Sequence, residues 1–349
     1  MRAVVVHGTG DLRVDELPDP VPDDGEVLVA MEWGGICGSD ISYWRHGASG
    51  TAVLRHPLVL GHEVAGRVVG LGAGVAGVEV GQPVTVHPAL LVGAVEVPAS
   101  RRNLHPGVRY YGSAAFDPHT QGGFSELKAV PAGQLRPLPD GVDTRSGALA
   151  EPLAVAMHAV RRGGDPTGKT VLVNGAGPIG CLVVAAAKRA GATRVIAADV
   201  ADSALVTARA LGADEARDLG NGDPLPDDVD LVFEASGATT ALGAVLHATA
   251  RGGTVVQVGN LPGTPAPAVL GDLVTREITW RGSYRFVEEI TDALLAMRDG
   301  LDVTPVVTHT FDLDRAAEAM ATAADRSTGS SKVMVRLGDG SRDAGGWPR

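Results

Sequence analysis

TVLVNGAGPIG, residues 170–180, sets a short apolar run directly against three glycines, Gly175, Gly177 and Gly180, in the spacing GxGxxG. A strand that breaks into a tight glycine turn and then a helix presents backbone N–H groups and the positive end of a helix dipole, which suits a pyrophosphate. The spacing alone is a weak signal, and its surroundings strengthen it. Residues 178–190, beginning with Pro178 and Ile179, read as a helix, and residues 194–199 read as a strand ending on Asp199, 19 positions after Gly180. A carboxylate there can hydrogen-bond both ribose hydroxyls of a dinucleotide and repels a 2′-phosphate, so NAD is expected over NADP. The competing reading is a glycine-rich turn in an ordinary α/β domain with an unrelated capping aspartate. Cys181, directly after the last glycine, reads as a small buried apolar side chain rather than a reactive thiol.

Working outward, helix-like residues 204–211 and 240–250 alternate with strand-like 229–235 and 254–258, the signature of βαβ units on a parallel sheet. Residues 1–150 have a different texture, dense in Gly, Pro and Val, with short apolar runs at 3–6, 27–31, 64–69 and 82–86. Such runs between turn residues predict a β-rich, partly barrel-like domain. Residues 290–298 and 313–324 read as helices, and 303–311 and 332–337 as extended. The expected class is α/β, with a β-rich domain over 1–150, a doubly wound domain over 151–285, and a return to the first domain over 286–349. Residues 338–349, rich in Gly, Asp and Arg, are expected to fray. No internal repeat is visible.

Composition agrees with two domains: 349 residues, 44% hydrophobic and 20% charged, describe an ordinary globular chain rather than a disordered one. Gly and Pro supply 69 residues, about a fifth, below the ~25–30% of low-complexity chains. A net charge of −11 repels a phosphate backbone, so nucleic acid is not an expected partner. Two cysteines exclude a disulfide framework, no apolar run approaches the ~20 residues of a membrane span, and the first residues lack a signal peptide's basic start. A reducing, cytoplasmic setting is expected.

Two motifs in the first domain carry chemistry. GGICGSD (residues 34–40) holds Cys37, GHE (61–63) holds His62 and Glu63, and AEPL (150–153) adds Glu151 where the two domains should meet. Thiolate, imidazole and carboxylate form the donor set of a catalytic zinc with one position left open. No short-range ligand spacing links them, so the residues alone leave this reading level with a core Cys37 and a satisfied loop His62.

GGICGSD, LGHEVAG, AEPLAVAMHA, NGAGPIG and RGSYRF, in this order over most of the chain, resemble the zinc-dependent medium-chain dehydrogenases of the polyol branch. Within it, YYGSAAFDPHTQGGF (residues 110–124) and RGSYRF (281–286) are most similar to the L-idonate 5-dehydrogenase type. The resemblance implies a GroES-like catalytic domain, a Rossmann domain, zinc, NAD and a homo-oligomer. Carried over by position, it makes Cys37, His62 and Glu63 the expected zinc-site residues, with Glu151 a further ligand or a carboxylate behind the zinc water. Ser39 and Tyr43 match substrate and proton-path positions, and Arg285 a polyol-contacting arginine. The carboxamide-binding segment falls at residues 257–260, including Val258 and Gly259. Phe116 and His119 are candidates to line the pocket.

Two departures qualify the resemblance. Relatives that carry a structural zinc hold it with four cysteines, but residues 91–107 place Val92, Val95 and Pro98 on that spacing, a fourth thiolate is missing near His105, and one imidazole cannot hold a structural zinc. One zinc per chain and a lobe without metal are expected. Relatives usually place a relay histidine three residues after the motif serine, where this chain has Ser42, which can pass a proton but cannot store one near neutral pH. His46, four residues later, could substitute, but reads more readily as a surface loop histidine.

The expected reaction is reversible oxidation of a secondary alcohol, an aldonate first, with neutral polyols and cyclitols or aminocyclitols as alternatives. A non-catalytic nucleotide-binding regulator is the alternative of another class, which an open metal site argues against.

Overall fold

The computed structural model describes residues 1–339, so the tail from 340 onward lies outside the described residues. Among the described residues the chain forms two compact units, one of residues 1–151, 307–328 and 332–339, the other of residues 152–306 and 329–331. The chain re-enters the first unit at Val307, after the helix Glu289–Arg298 rather than before it.

The first unit is built on a seven-stranded sheet whose central strand is Glu26–Gly35. Its apolar residues alternate between two faces: Val27, Val29 and Met31 enter the main core with Phe124 and Leu60, while Leu28 and Ala30 pack with Val69 and Leu127. A strand apolar on both faces has to be central, because either face left in water would expose a row of aliphatic groups. It pairs with Glu63–Leu71 on one side, and with Leu127–Pro131 and Lys332–Arg336 at opposite ends of the other. The last of these strands pairs in parallel with Val307–Asp312 at the sheet edge.

The second unit holds a six-stranded sheet in the order Glu215–Asp218, Arg194–Asp199, Thr170–Asn174, Val229–Glu234, Thr249–Gln257, Thr279–Gly282, parallel throughout. Three of the four inner strands, TVLVN, RVIAAD and VDLVFE, are nearly continuous in apolar residues, as strands buried on both faces are. Leu172, Ile196, Val232 and Val255 meet Val245 and Leu246 of the helix Leu242–Ala248 in one core. The helix Pro178–Arg189 opens with proline in its first turn, where the missing N–H costs nothing. Among the described residues, no helix is long and apolar enough to cross a membrane.

The sheet order reverses at Thr170–Asn174, whose neighbours are Arg194–Asp199 on one side and Val229–Glu234 on the other. Open parallel sheets take their ligands at such a switch point, beyond the C-terminal ends of the strands.

Candidate active site

One end of the seven-stranded sheet brings the candidate metal-ligating residues together. Gly35 pairs with Glu63 on one side and Met334 on the other, so the end of the central strand lies beside the start of both neighbours. The chain then runs through Ile36 to Cys37, the N-cap of the helix Gly38–His46. As a result the ligand atoms of Cys37, His62 and Glu63 lie within 4.8 Å of one another. Two glycines make the approach possible. A Cβ on Gly35 would stand 2.2 Å from Glu63 Oε2, and one on Gly61 would stand 2.0 Å from the Phe124 ring, in a backbone with φ +92° that disfavours any side chain.

Asp40 ties the two ligand segments to each other. Its fully buried carboxylate accepts from the N–H of Cys37 at 2.9 Å and, through the other oxygen, from the N–H of Gly61 at 3.3 Å. Burial raises its pKa, opposed chiefly by His62. Lys332 closes the site from behind. Its buried ammonium donates to both Glu63 oxygens at 2.7 Å and to the Ile36 carbonyl at 3.0 Å. Burial still pushes Glu63 up to about 7, with Lys332 opposing and Glu151 adding to the rise. Glu151, in the first turn of the helix Ala150–Gly163, accepts from Tyr110 Oη at 2.5 Å and stands outside the three-residue group.

The charges around His62 are unbalanced. Burial works to lower its pKa, but Cys37, then Asp40 and Glu151, outweigh burial and hold it up at about 10. His62 Nδ1 is buried without a hydrogen-bond partner, while the ring meets Tyr110 edge-on at 5.5 Å. A thiol, an imidazole with a spare nitrogen and a carboxylate, crowded together with surplus negative charge, fit a divalent cation, and this donor set suits zinc with one position open.

The glycine loop of the second unit is equally specific. Gly175 has φ +93°, and a Cβ there would lie 2.5 Å from the Ser236 backbone nitrogen, so the turn packs directly on the neighbouring loop. A Cβ on Gly180 would strike the Gly175 carbonyl at 1.8 Å, whereas the Cβ position of Gly177, the helix N-cap, has open space. That open N-cap beneath free helical N–H groups is a place for a phosphate. Asp199 reaches the same loop: its carboxylate accepts from Ala176 N at 2.6 Å and from Ala201 N at 3.0 Å, leaving lone pairs for further donors.

Residues 23–140 match the alcohol dehydrogenase GroES-like domain model, and residues 178–298 match the zinc-binding dehydrogenase model. Over 347 residues the chain is 37% identical to sorbitol dehydrogenase of Gallus gallus, covering 96% of each chain. The chain belongs to the zinc-binding dehydrogenase family. It is also 34% identical to L-idonate 5-dehydrogenase (NAD(P)(+)) of Escherichia coli over 341 residues, covering 96% of this chain and 98% of that one. The crystal structure of the Escherichia coli L-idonate 5-dehydrogenase matches with a TM-score of 0.90, covering 96% and 97% of the two chains. Family membership makes the protein an oxidoreductase of CH–OH groups and implies zinc and a nicotinamide dinucleotide, NAD or NADP.

Several residues expected at this dehydrogenase's site have other partners. Tyr43 is buried in the main core, and its hydroxyl accepts from Ala114 N at 3.0 Å. Both ring nitrogens of His119 are used by backbone: Nδ1 donates to the Phe116 carbonyl at 2.9 Å, and Nε2 accepts from the N–H groups of Arg55 at 2.9 Å and His56 at 3.2 Å. It clamps two loops and has no nitrogen left to bond a substrate. The Phe116 ring carries the Arg109 guanidinium 4.9 Å above it. Ser39 is half-buried in the first turn of its helix, Ser42 donates back to the Gly38 carbonyl at 2.9 Å, and His46 is exposed in the last turn. Arg285 has φ +53°, an uncommon backbone for a residue with a side chain, and its guanidinium lies 4.8 Å over the Tyr284 ring. Burial, then Asp199, push the Cys181 thiol up to about 12, which leaves it unreactive.

The lobe at residues 91–107 is closed by an imidazole. His105, 4% exposed, donates from Nε2 to the Val95 carbonyl at 2.8 Å and accepts at Nδ1 from Gly107 N at 2.9 Å. Leu91, Val92 and Val95 stay exposed. Backbone bonds to His105, rather than packing of these valines, order the lobe. Sequence reasoning also missed Asp40, Lys332 and Tyr110. Only Asp40 had a local signal, an acidic residue three positions after a helix N-cap.

Proposed function

We propose that this dehydrogenase oxidises a secondary alcohol of a sugar acid, in the manner of L-idonate 5-dehydrogenase, with NAD as hydride acceptor and one zinc per chain. The observation that carries the reading is the Cys37, His62 and Glu63 group, its last two members buried and its imidazole with a spare nitrogen, since a non-catalytic nucleotide binder needs no such group. Bound there, zinc would supply Lewis-acid polarisation of the alcohol oxygen while the nicotinamide ring accepts the hydride. In balance, the alcohol loses a hydride from carbon to the nicotinamide and a proton from oxygen, and becomes a ketone.

Cys37, His62 and Glu63 hold the cation, with Asp40 and Lys332 keeping the donors in place. Glu151 stands by as a carboxylate behind the site, held by Tyr110. Ser39 starts the outward path of the proton. Ser42 has its hydroxyl hydrogen turned to Gly38, so the path does not need it as a store. In the second unit Gly175, Gly177, Pro178, Ile179 and Gly180 receive the pyrophosphate, and Val258 and Gly259 the carboxamide. Asp199 reads the ribose hydroxyls, and Asp202 just beyond it adds a second negative charge against a 2′-phosphate.

Arg285 favours the sugar acid over a neutral polyol. A guanidinium fork matches a carboxylate, and its left-handed backbone is a strain of the kind retained where a side chain must be aimed. The test is NADH formation on a panel of aldonates, polyols and cyclitols, repeated with Arg285→Ala. Aldonate kcat/KM should fall about tenfold to a hundredfold, the loss of a charged hydrogen bond, and a neutral polyol distinctly less. Equal losses on both make Arg285 a reader of hydroxyls and favour the polyol or cyclitol.

A further inference from the structure

The parallel sheet contains a buried carboxylate that the chemistry above does not use. Glu234 ends the strand Val229–Glu234 and is 0% exposed. One of its carboxylate oxygens accepts from Ser236 N at 2.9 Å, from Ser236 Oγ, and from Asn174 Nδ2 at 3.3 Å. The other accepts from Gln257 Nε2 at 2.6 Å and Gly237 N at 3.2 Å. Its backbone carbonyl accepts from the N–H groups of Val258 at 2.8 Å and Gly259 at 2.9 Å. One residue thus binds together the ends of three neighbouring strands, Thr170–Asn174, Val229–Glu234 and Thr249–Gln257, and the loops after the last two.

These loops have no slack. A Cβ on Gly259 would lie 2.3 Å from Gly237 N, and one on Gly237 would lie 2.6 Å from the Asn260 carbonyl. Gln257 spends both amide protons, on Glu234 and on the Gly259 carbonyl at 2.8 Å. Two buried polar atoms at this end of the sheet, Gln257 Oε1 and Ser283 Oγ, have no partner, and Ser283 N donates to the Gln257 carbonyl at 2.9 Å. Unfinished polar groups clustered in this way mark a site that a bound molecule completes.

A dinucleotide straddles the point where strand order reverses. Asp199 lies on one side of that point, with the adenosine half, so the nicotinamide half belongs over the loops following Val229–Glu234 and Thr249–Gln257. We infer that Glu234 is a positioning residue for the nicotinamide half of the cofactor: its carboxylate fixes the loops 235–237 and 257–260 that receive the ring. This rests on the cofactor reading proposed above.

Glu234→Gln keeps the shape but turns an N–H₂ group toward donors that a carboxylate oxygen had satisfied. The experiment is titration calorimetry of the zinc-loaded wild type and variant with NADH and with ADP-ribose, which keeps the adenosine and pyrophosphate but lacks nicotinamide. NADH should bind ten- to a hundredfold more weakly to the variant, with ADP-ribose changed less than twofold. Equal weakening of both ligands would reduce Glu234 to general structure, and no change in either would remove its role; both overturn the inference. If the wild type binds neither ligand, the cofactor reading itself falls and the inference with it. Should the glutamine variant fail to fold, Ser236→Ala removes one donor and should weaken NADH alone, by about threefold; parallel loss of ADP-ribose contradicts the inference.

Discussion

His62 and His105 sit in the same unit, both buried, and meet opposite fates. His105 uses both ring nitrogens on backbone groups of its own lobe and so finishes a small loop structure without help. His62 has one nitrogen without a partner and stands among Cys37, Asp40 and Glu151, which raise its pKa against the effect of burial. The difference lies in what surrounds the ring rather than in the ring. Where neutral donors and acceptors are matched, an imidazole is a staple, and where negative groups outnumber positive ones, it is a ligand awaiting a cation. The lobe and the metal corner are thus two solutions to burying polar side chains, one closed and one open.

The sharpest way to break this contrast is to remove each ring in turn. His62→Ala should lower kcat/KM at least about a thousandfold, since the lost cation site supplies several kcal/mol of transition-state stabilisation, while stability to urea changes little. A third histidine extends the comparison in the second unit. His158 Nδ1 and the Arg161 guanidinium face Glu289 Oε1 at 2.9 and 3.1 Å, and Glu289 Oε2 accepts from Val287 N at 2.7 Å. Burial opposes ionisation, but the His158 bond and the backbone donors outweigh it and bring Glu289 down to about 2. A lowered carboxylate stabilises the fold above its ordinary pKa near 4.5 and loses that contribution as pH falls toward 2. Glu289→Gln should cost on the order of 2 kcal/mol at neutral pH and flatten the acid limb between pH 4.5 and 2, read by urea melts across pH. The smallest effect belongs to the staple. His105→Ala should cost about 1–2 kcal/mol for two lost hydrogen bonds and open residues 91–107 to proteolysis, with kcat/KM of the folded enzyme within threefold. A loss of activity matching that of His62→Ala would erase the distinction.

What the sequence disclosed follows burial. Thr170–Asn174 and Arg194–Asp199 are covered on both faces, so their apolar runs stand out, and the glycine loop between strand and helix locates the dinucleotide end of the sheet. Glu215–Asp218, EARD, is a half-buried edge strand without an apolar run and left no trace. The metal corner was legible only as separate fragments. Lys332 lies 269 residues from Glu63, and its pairing follows from strand order that no local pattern records. The bond that His119 Nε2 accepts from Arg55 N was hidden for the same reason, since Arg55 lies 64 residues away.

Metal analysis of three purified proteins tests the central contrast most directly. Wild type and His105→Ala should each carry about one zinc per chain, and His62→Ala close to none. Two zincs in the wild type with one lost in His105→Ala would place a metal in the lobe and contradict the account, as would a full zinc complement in His62→Ala.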